Sequence, residues 1–112
     1  MTLERFLEII NNKEYEKMEY FEGNGMTIDP CIKIHTKNGA YIRFYCGWGF
    51  KKLRLFKSEI IDYCQIIFFV PGKDKAVASF EINEDDDRFK MYKDLFGNLV
   101  EEIKREQAEK YF

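Results

Sequence analysis

The chain has 112 residues, 46% apolar and 34% charged, which is the size and composition of one folded globular domain. Its net charge of −2 and acidic isoelectric point of about 5.5 argue against a dedicated duplex-DNA binder. The longest apolar run, residues 66–70, is far shorter than the ~20 residues that cross a bilayer, and the acidic N-terminus lacks a signal-peptide pattern. We therefore expect a cytoplasmic protein without a membrane span.

The first expected element is a helix capped by Thr2, because apolar residues recur at helical spacing directly after it. This apolar stripe consists of Leu3, Phe6, Leu7 and Ile10. We expect the helix to end near Asn11 and Asn12. Residues 13–22 fit either a further helical turn or a strand, since the apolar residues recur at threes and also alternate in part.

The middle of the chain is predicted to be β-structure. Strands are expected around residues 32–36, 40–46, 53–56, 60–70 and 76–82. Asn38-Gly39 predicts a type I′ hairpin turn, and Gly47-Trp48-Gly49 is expected to interrupt the second strand. Ser58-Glu59 is expected to form a bend. Residues 60–70 are apolar at alternate and intervening positions, which indicates a strand covered on both faces.

The last expected element is a long helix. Residues 85–87, all Asp, are expected to cap its N-terminus. We interpret Gly97 as a site of close packing against the sheet. We expect Phe96 and Leu99 to be buried against residues such as Ile42, Phe44 and Phe80. The apolar stripe of this helix is Phe89, Tyr92, Phe96, Leu99 and Ile103.

These elements predict an α+β fold in a single domain covering residues 1–112. The expected architecture is an antiparallel sheet of about five strands, flanked by an N-terminal helix and a long C-terminal helix packed on the sheet. The alternative is a barrel of the pleckstrin-homology type, in which a C-terminal helix closes the strands.

The uneven distribution of charge is the most informative feature for function. Residues 1–29 carry three bases and seven acids, residues 30–58 carry seven bases and no acid, and residues 59–112 carry eight bases and thirteen acids. Several of the central bases alternate with aromatic residues along strands, and these residues could form one basic, aromatic sheet face. The candidate binding residues are Lys33, Lys37, Tyr41, Arg43, Tyr45, Trp48, Lys51, Lys52 and Arg54.

Such a face is consistent with several partners. It could bind an acidic protein surface, since Tyr, Trp and Arg are enriched at interface hot spots. It could bind single-stranded nucleic acid or a lipid headgroup through phosphate contacts, although the acids elsewhere would keep that affinity weak. The bases could instead be compensated by the acidic helices of the same chain.

Trp48, the only tryptophan, has two open interpretations. Its flanking glycines indicate a tight turn or bulge that could project the ring as an interface anchor. Alternatively, the ring folds back to cover the core.

The three cysteines, Cys31, Cys46 and Cys64, are expected to be free thiols that behave as small buried hydrophobes. A Cys31–Cys46 disulfide would require neighbouring strands to bring these two residues together. His35 is the only histidine, and no acid lies between residues 30 and 58 to orient it as a base for a cysteine nucleophile.

Other chemical motifs are missing from the sequence. Residues 83–94 lack the glycine and the terminal glutamate of a Ca²⁺-binding loop, and no phosphate-binding loop or zinc ligand set occurs. We therefore expect neither an enzyme nor a bound metal or cofactor.

We hypothesise a non-catalytic interaction domain that binds a partner protein through the basic, aromatic sheet face. The alternatives are a small protein of a phage or mobile element that inhibits a host protein, with its acidic helices imitating nucleic acid, and a single-stranded nucleic-acid binder. The abundance of Lys, Ile, Asn, Phe and Tyr, whose codons are AT-rich, suggests a low-GC bacterium or its phages. A sheet face without a covering helix would also favour a homodimer.

Overall fold

The computed structural model describes residues 1–52, 58–72 and 75–112, which form an α+β fold with one open antiparallel sheet. The elements are α1 (Leu3–Asn11), β1 (Lys17–Phe21), β2 (Cys31–His35), β3 (Tyr41–Lys52), β4 (Ser58–Phe69), β5 (Ala78–Asn83) and α2 (Phe89–Tyr111). The strands follow one another across the sheet in chain order. The predicted α+β architecture is confirmed, and the barrel alternative is wrong because β1 and β5 lie at opposite edges of an open sheet. Neither helix has the length and apolar character that a membrane span requires, within the described residues.

The first two elements of the chain, α1 and β1, follow from local sequence signals. The Oγ1 atom of Thr2 accepts a hydrogen bond from the backbone N–H of Arg5 at 3.0 Å, so the predicted cap of α1 is confirmed. The ambiguous residues 13–22 contain β1, which pairs antiparallel with β2. The alternation of apolar residues, and not their recurrence every three residues, predicts this element, because Met18 and Tyr20 face the core as members of a strand.

Both helices pack on one face of the sheet, and we call this face the helix face. The ring of Phe44 in β3 makes edge contacts with Phe6 of α1 and with Phe96 of α2, each with a centroid distance of 5.2 Å. The packing of α2 across the sheet, with Phe96 buried, is therefore confirmed. The buried strand residues on this face are Ile32, Ile34, Ile42, Phe44, Cys64, Ile66, Phe68 and Ile82.

Neither α1 nor α2 lies on the second face of the sheet, and we call this face the uncovered face. The prediction that residues 60–70 are covered on both faces is therefore wrong. On the uncovered face Tyr63, Gln65 and Ile67 are half-buried, sheltered mainly by the side chains of neighbouring strands.

The hairpin of β3 and β4 is longer than the sequence predicts. The pairing runs without a break from Tyr41↔Phe69 to Lys52↔Ser58, so the predicted interruption at Gly47-Trp48-Gly49 and the predicted bend at Ser58-Glu59 are wrong. Pairing with β2 ends at Tyr45, and pairing with β5 ends at Tyr63, so the rest of the hairpin extends beyond the other strands. The predicted separate strand at residues 53–56 lies outside the described residues.

The turn between β2 and β3 and the N-cap of α2 differ in detail from the predictions. Residues 36–40 connect β2 to β3, and among them only Gly39 has a positive φ, of 85°, whereas a type I′ turn requires two such residues. At the start of α2 the N-cap is Arg88, without a side-chain hydrogen bond, instead of one of the three aspartates. The carboxylate of Asp86 instead accepts hydrogen bonds from the backbone and side chain of Arg88, which lower the pKa of Asp86 to about 2.

Gly97 does not pack closely against the sheet, contrary to the sequence interpretation. It lies on the exposed side of α2, and a Cβ atom placed on it would meet nothing within 4 Å. We expect Gly97→Ala to raise the free energy of unfolding by about 1 kcal/mol in urea denaturation, because alanine loses less backbone entropy in a helix. Gly72→Ala is the matched control, and it should destabilise because Gly72 has a φ of 74°. A loss of stability in Gly97→Ala would contradict the open surroundings of this residue.

Candidate functional site

The uncovered face brings side chains from all five strands together. Since side chains alternate along a strand, the antiparallel register fixes which residues share this face. One row across the sheet is Glu19, Lys33, Arg43, Ile67 and Ser79, and a second is Phe21, Cys31, Tyr45, Gln65 and Glu81. A third row is Lys17, His35, Tyr41 and Phe69.

Two basic side chains lie against a stack of two aromatic rings in the middle of this face. Tyr41 and Phe69 stack with a centroid distance of 4.6 Å and an interplanar angle of 9°. The Nζ atom of Lys33 lies 4.4 Å from the centroid of Tyr41, and the guanidinium of Arg43 lies 5.2 Å from that of Phe69. These are cation–π distances, and Phe69 is only 8% exposed although no helix covers it. We call these four residues the cation–aromatic cluster.

Two further side chains extend the cation–aromatic cluster towards β2. Tyr45 lies next to both Arg43 and Cys31. Burial raises the pKa values of Tyr45 and of Cys31, so the phenol and the thiol stay neutral. Arg43 lies over the rings of Tyr41 and Phe69, with the phenol of Tyr45 nearby.

An apolar depression adjoins the cluster at the edge formed by β1 and the loop that follows it. Phe21 is 51% exposed and Ile28 is 60% exposed, although both are large apolar side chains. The depression has a volume of about 320 Å³ and is lined by Phe21, Ile28, Asp29, Cys31, Lys33, Arg43 and Tyr45. Exposed apolar surface thus lies directly beside two cations.

The loop between β1 and β2, which carries Asp29, is hydrogen-bonded to β4. The hydroxyl of Tyr63 donates a short hydrogen bond to the Asp29 carboxylate, and burial together with this bond raises the pKa of Tyr63. Tyr63 is paired with Gly47, and a Cβ atom on Gly47 would overlap the carboxylate of Asp29. The absence of a side chain at Gly47 therefore provides the space for this contact.

His35 has a carboxylate partner that its sequence neighbourhood does not contain. Its Nε2 atom lies 2.6 Å from Glu19, which is brought across from β1, and this hydrogen bond lowers the pKa of Glu19. Cys46 and Cys64 lie on the helix face, on the other side of the sheet from His35. A pairing of His35 with Cys46 as a nucleophile and base therefore does not form.

The structure divides the candidate binding residues among several locations. Lys33, Tyr41, Arg43 and Tyr45 meet on the uncovered face as predicted. Lys37 is exposed in the turn between β2 and β3. Trp48 is 39% exposed on the helix face, beside Phe89 and Phe96 of α2.

The remaining candidate residues lie in or beyond the extended hairpin. Lys51 and Lys52 are the last residues of β3, and Arg54 lies outside the described residues. Trp48 and the basic residues Lys33 and Arg43 lie on different faces of the sheet, because even-numbered residues of β3 from Ile42 to Trp48 face the helices and odd-numbered residues from Tyr41 to Tyr45 face away.

Three residues of this region were missed by the sequence reasoning. The sequence predicts a buried strand at Phe69, but the contact of Phe69 with Tyr41 follows only from the register of β3 and β4. Glu19 lies in the segment 13–22, whose sequence fits either a helical turn or a strand. Asp29 reaches Tyr63 across 34 positions of sequence, and no local pattern signals such a contact.

Comparison of the chain with protein-family models, with curated proteins and with solved structures found no match. The functional interpretation of the candidate site therefore rests on the geometry of the site.

Proposed function

We propose that the chain is a non-catalytic interaction domain that binds a partner protein through the uncovered face. The partner surface would present carboxylates next to an apolar side chain. The observation that carries this proposal is the cation–aromatic cluster on a sheet face that neither α1 nor α2 covers.

The contacts of the cluster support binding to carboxylates. Both helices lie on the opposite face, so the helical carboxylates do not compensate Lys33 and Arg43. Each cation contacts rings on one side and retains its capacity for a charged hydrogen bond on another. Because contacts with two aromatic rings already restrict Arg43, less side-chain entropy is lost when it binds.

The apolar depression at Phe21 and Ile28 supports a protein partner over a nucleic acid. An exposed apolar surface beside an aromatic–arginine cluster has the composition of an interface core. Phosphate binding would instead favour further cations around the rings, whereas Glu19 and Glu81 lie on the same face.

The helices give less support to mimicry of nucleic acid. The sequence of α2 contains five acids and also five bases, so this helix does not present charge of one sign. The acids are Asp94, Glu101, Glu102, Glu106 and Glu109, and the bases are Lys90, Lys93, Lys104, Arg105 and Lys110.

The test compares two arginine variants that carry the same substitution on different surfaces. Arg43→Gln removes the charge from the cluster, and Arg105→Gln removes an exposed charge from α2. We expect the wild type and Arg105→Gln to retain the same protein in affinity purification from the source cells. We expect Arg43→Gln to bind that protein at least about 10-fold more weakly, the loss typical of a hot-spot residue.

Other outcomes would overturn the proposal. Equal retention by Arg43→Gln and the wild type would exclude the uncovered face. Tight binding of a labelled single-stranded oligonucleotide at about 0.15 M salt would favour the nucleic-acid alternative. Light scattering that gives twice the monomer mass of 13.5 kDa for the wild type, but not for Arg43→Gln, would identify a second copy of the chain as the occupant.

A further inference from the structure

Cys46 and Cys64 form a side-chain pair on the helix face that the proposed function does not use. They are directly opposite in the register of β3 and β4, and their Sγ atoms lie 3.0 Å apart. The disulfide considered from the sequence, Cys31–Cys46, is excluded by this arrangement, because Cys31 pairs with Tyr45 on the uncovered face.

The backbone hydrogen bonds show which kind of cross-strand pair this is. The N–H of Cys46 donates towards β2, to the carbonyl of Pro30 at 3.4 Å. On β4 the carbonyls of Asp62 and Phe68 accept hydrogen bonds from the β5 side, and Cys64 has the same parity as these residues. Cys46 and Cys64 therefore form a non-hydrogen-bonded pair of the antiparallel ladder.

This type of pair suits a disulfide. Opposite residues in a non-hydrogen-bonded pair have Cα atoms about 4.5 Å apart, with their side chains close together. Disulfides usually join Cα atoms separated by about 4.4–6.8 Å. The two thiols can therefore become linked without a change of strand register.

The two thiols differ in their access to a reagent. Cys46 lines a cavity of about 450 Å³ between β3 and the first turns of α2, together with Trp48, Lys93 and Phe96. Cys64 is fully buried behind it. A small molecule that enters the cavity can therefore reach Cys46 first.

The electrostatic surroundings give the two thiols different roles. The hydrogen bond from Cys64 and the nearby ammonium of Lys93 lower the pKa of Cys46, although burial, Asp62 and Asp29 act in the opposite direction. The same hydrogen bond and burial raise the pKa of Cys64. Cys46 thus has the character of an attacking thiol and Cys64 that of a resolving thiol.

We propose that Cys46 and Cys64 are a reversible dithiol–disulfide pair that reacts with low-molecular-weight disulfides entering this cavity. The Cys46 thiolate attacks one sulfur of the small disulfide, whose S–S bond breaks and releases one thiolate, which takes up the proton that Cys46 lost. Cys64 then gives up its proton and attacks the Sγ atom of Cys46. The Cys46–Cys64 bond forms, and the second small thiolate leaves and takes that proton, so two protein thiols are oxidised and one disulfide is reduced to two thiols.

The experiment equilibrates the folded protein with buffers of reduced and oxidised glutathione over a series of ratios. After acid quenching and denaturation, free thiols are alkylated and the protein is examined by mass spectrometry. We expect the wild type to lose two of its three alkylatable thiols and about 2 Da of mass. Peptide mapping should join Cys46 to Cys64, and Cys31→Ser should behave as the wild type does.

Variants and competing outcomes keep the proposal open to refutation. Cys64→Ala should stop at a mixed disulfide of Cys46 with glutathione, and Cys46→Ala should form neither product. Three free thiols in the folded wild type at every ratio would overturn the proposal. It would also be overturned by a mixed disulfide without the internal link, by a link that includes Cys31, or by a link that appears only in urea; these wild-type results do not depend on whether a variant folds.

Discussion

Phe96→Ala is expected to lower the free energy of unfolding by about 3–5 kcal/mol, a large part of the 5–15 kcal/mol that stabilises a small domain. Phe96 is the α2 side chain that contacts the centre of the sheet, with its ring at 5.2 Å from Phe44 and 6.3 Å from Tyr20. Truncation would leave a cavity at the junction of α2, β1 and β3, because neighbouring strands cannot move inward independently. Urea denaturation followed by circular dichroism gives the loss directly.

The matched control for this prediction is Phe112→Ala. Phe112 follows α2 at the C-terminus and is fully exposed, so the same substitution should change stability by less than about 0.5 kcal/mol. If Phe96→Ala and Phe112→Ala unfolded at the same urea concentration as the wild type, the packing of α2 across the sheet would be wrong.

Phe6→Ala is expected to cost a similar amount, about 3–5 kcal/mol, and to destabilise both helices together. The Phe6 ring is completely buried, contacts Phe44 edge-on at 5.2 Å and stacks on Tyr92 of α2 at 6.4 Å. Since α1 has only nine residues, it depends on this packing for its helical structure. Hydrogen exchange should show that amides of α1 and α2 lose protection in the same variant.

The control for Phe6→Ala is Phe21→Ala on the uncovered face. Phe21 is half-exposed, so its truncation should cost much less stability. A variant Phe6→Ala in which α1 exchanged freely, while α2 kept wild-type protection, would show that Phe6 does not connect the two helices.

The amino-acid sequence is sufficient to predict the class of the fold and the burial pattern of most of its regular elements. The alternation in β2 and in the first half of β3 identified Ile32, Ile34, Ile42 and Phe44 as one face, and the stripe of α2 identified Phe96 as its buried centre. These features are local, since side-chain direction repeats every two residues in a strand and every 3.6 residues in a helix. For the same reason, the placement of Lys33, Tyr41, Arg43 and Tyr45 on one face could be predicted.

Predictions from local sequence patterns are wrong where contacts with other residues outweigh the local preference. Glycines normally interrupt strands, yet Gly47 and Gly49 lie within a continuous ladder because Tyr63 and Ile61 pair with them. Asp85–Asp87 resemble a helix cap, but Asp86 instead binds Arg88 in the preceding turn.

The contacts that define the two candidate sites depend on long-range strand pairing and helix packing. Phe69 stacks on Tyr41, and Cys64 meets Cys46, because the register of β3 and β4 aligns residues 28 and 18 positions apart. The one-sided packing of both helices decides that Trp48 lies beside α2 and that Arg43 lies on the uncovered face. Side-chain alternation specifies that two residues of a strand face opposite ways, but which face remains uncovered depends on where the helices pack.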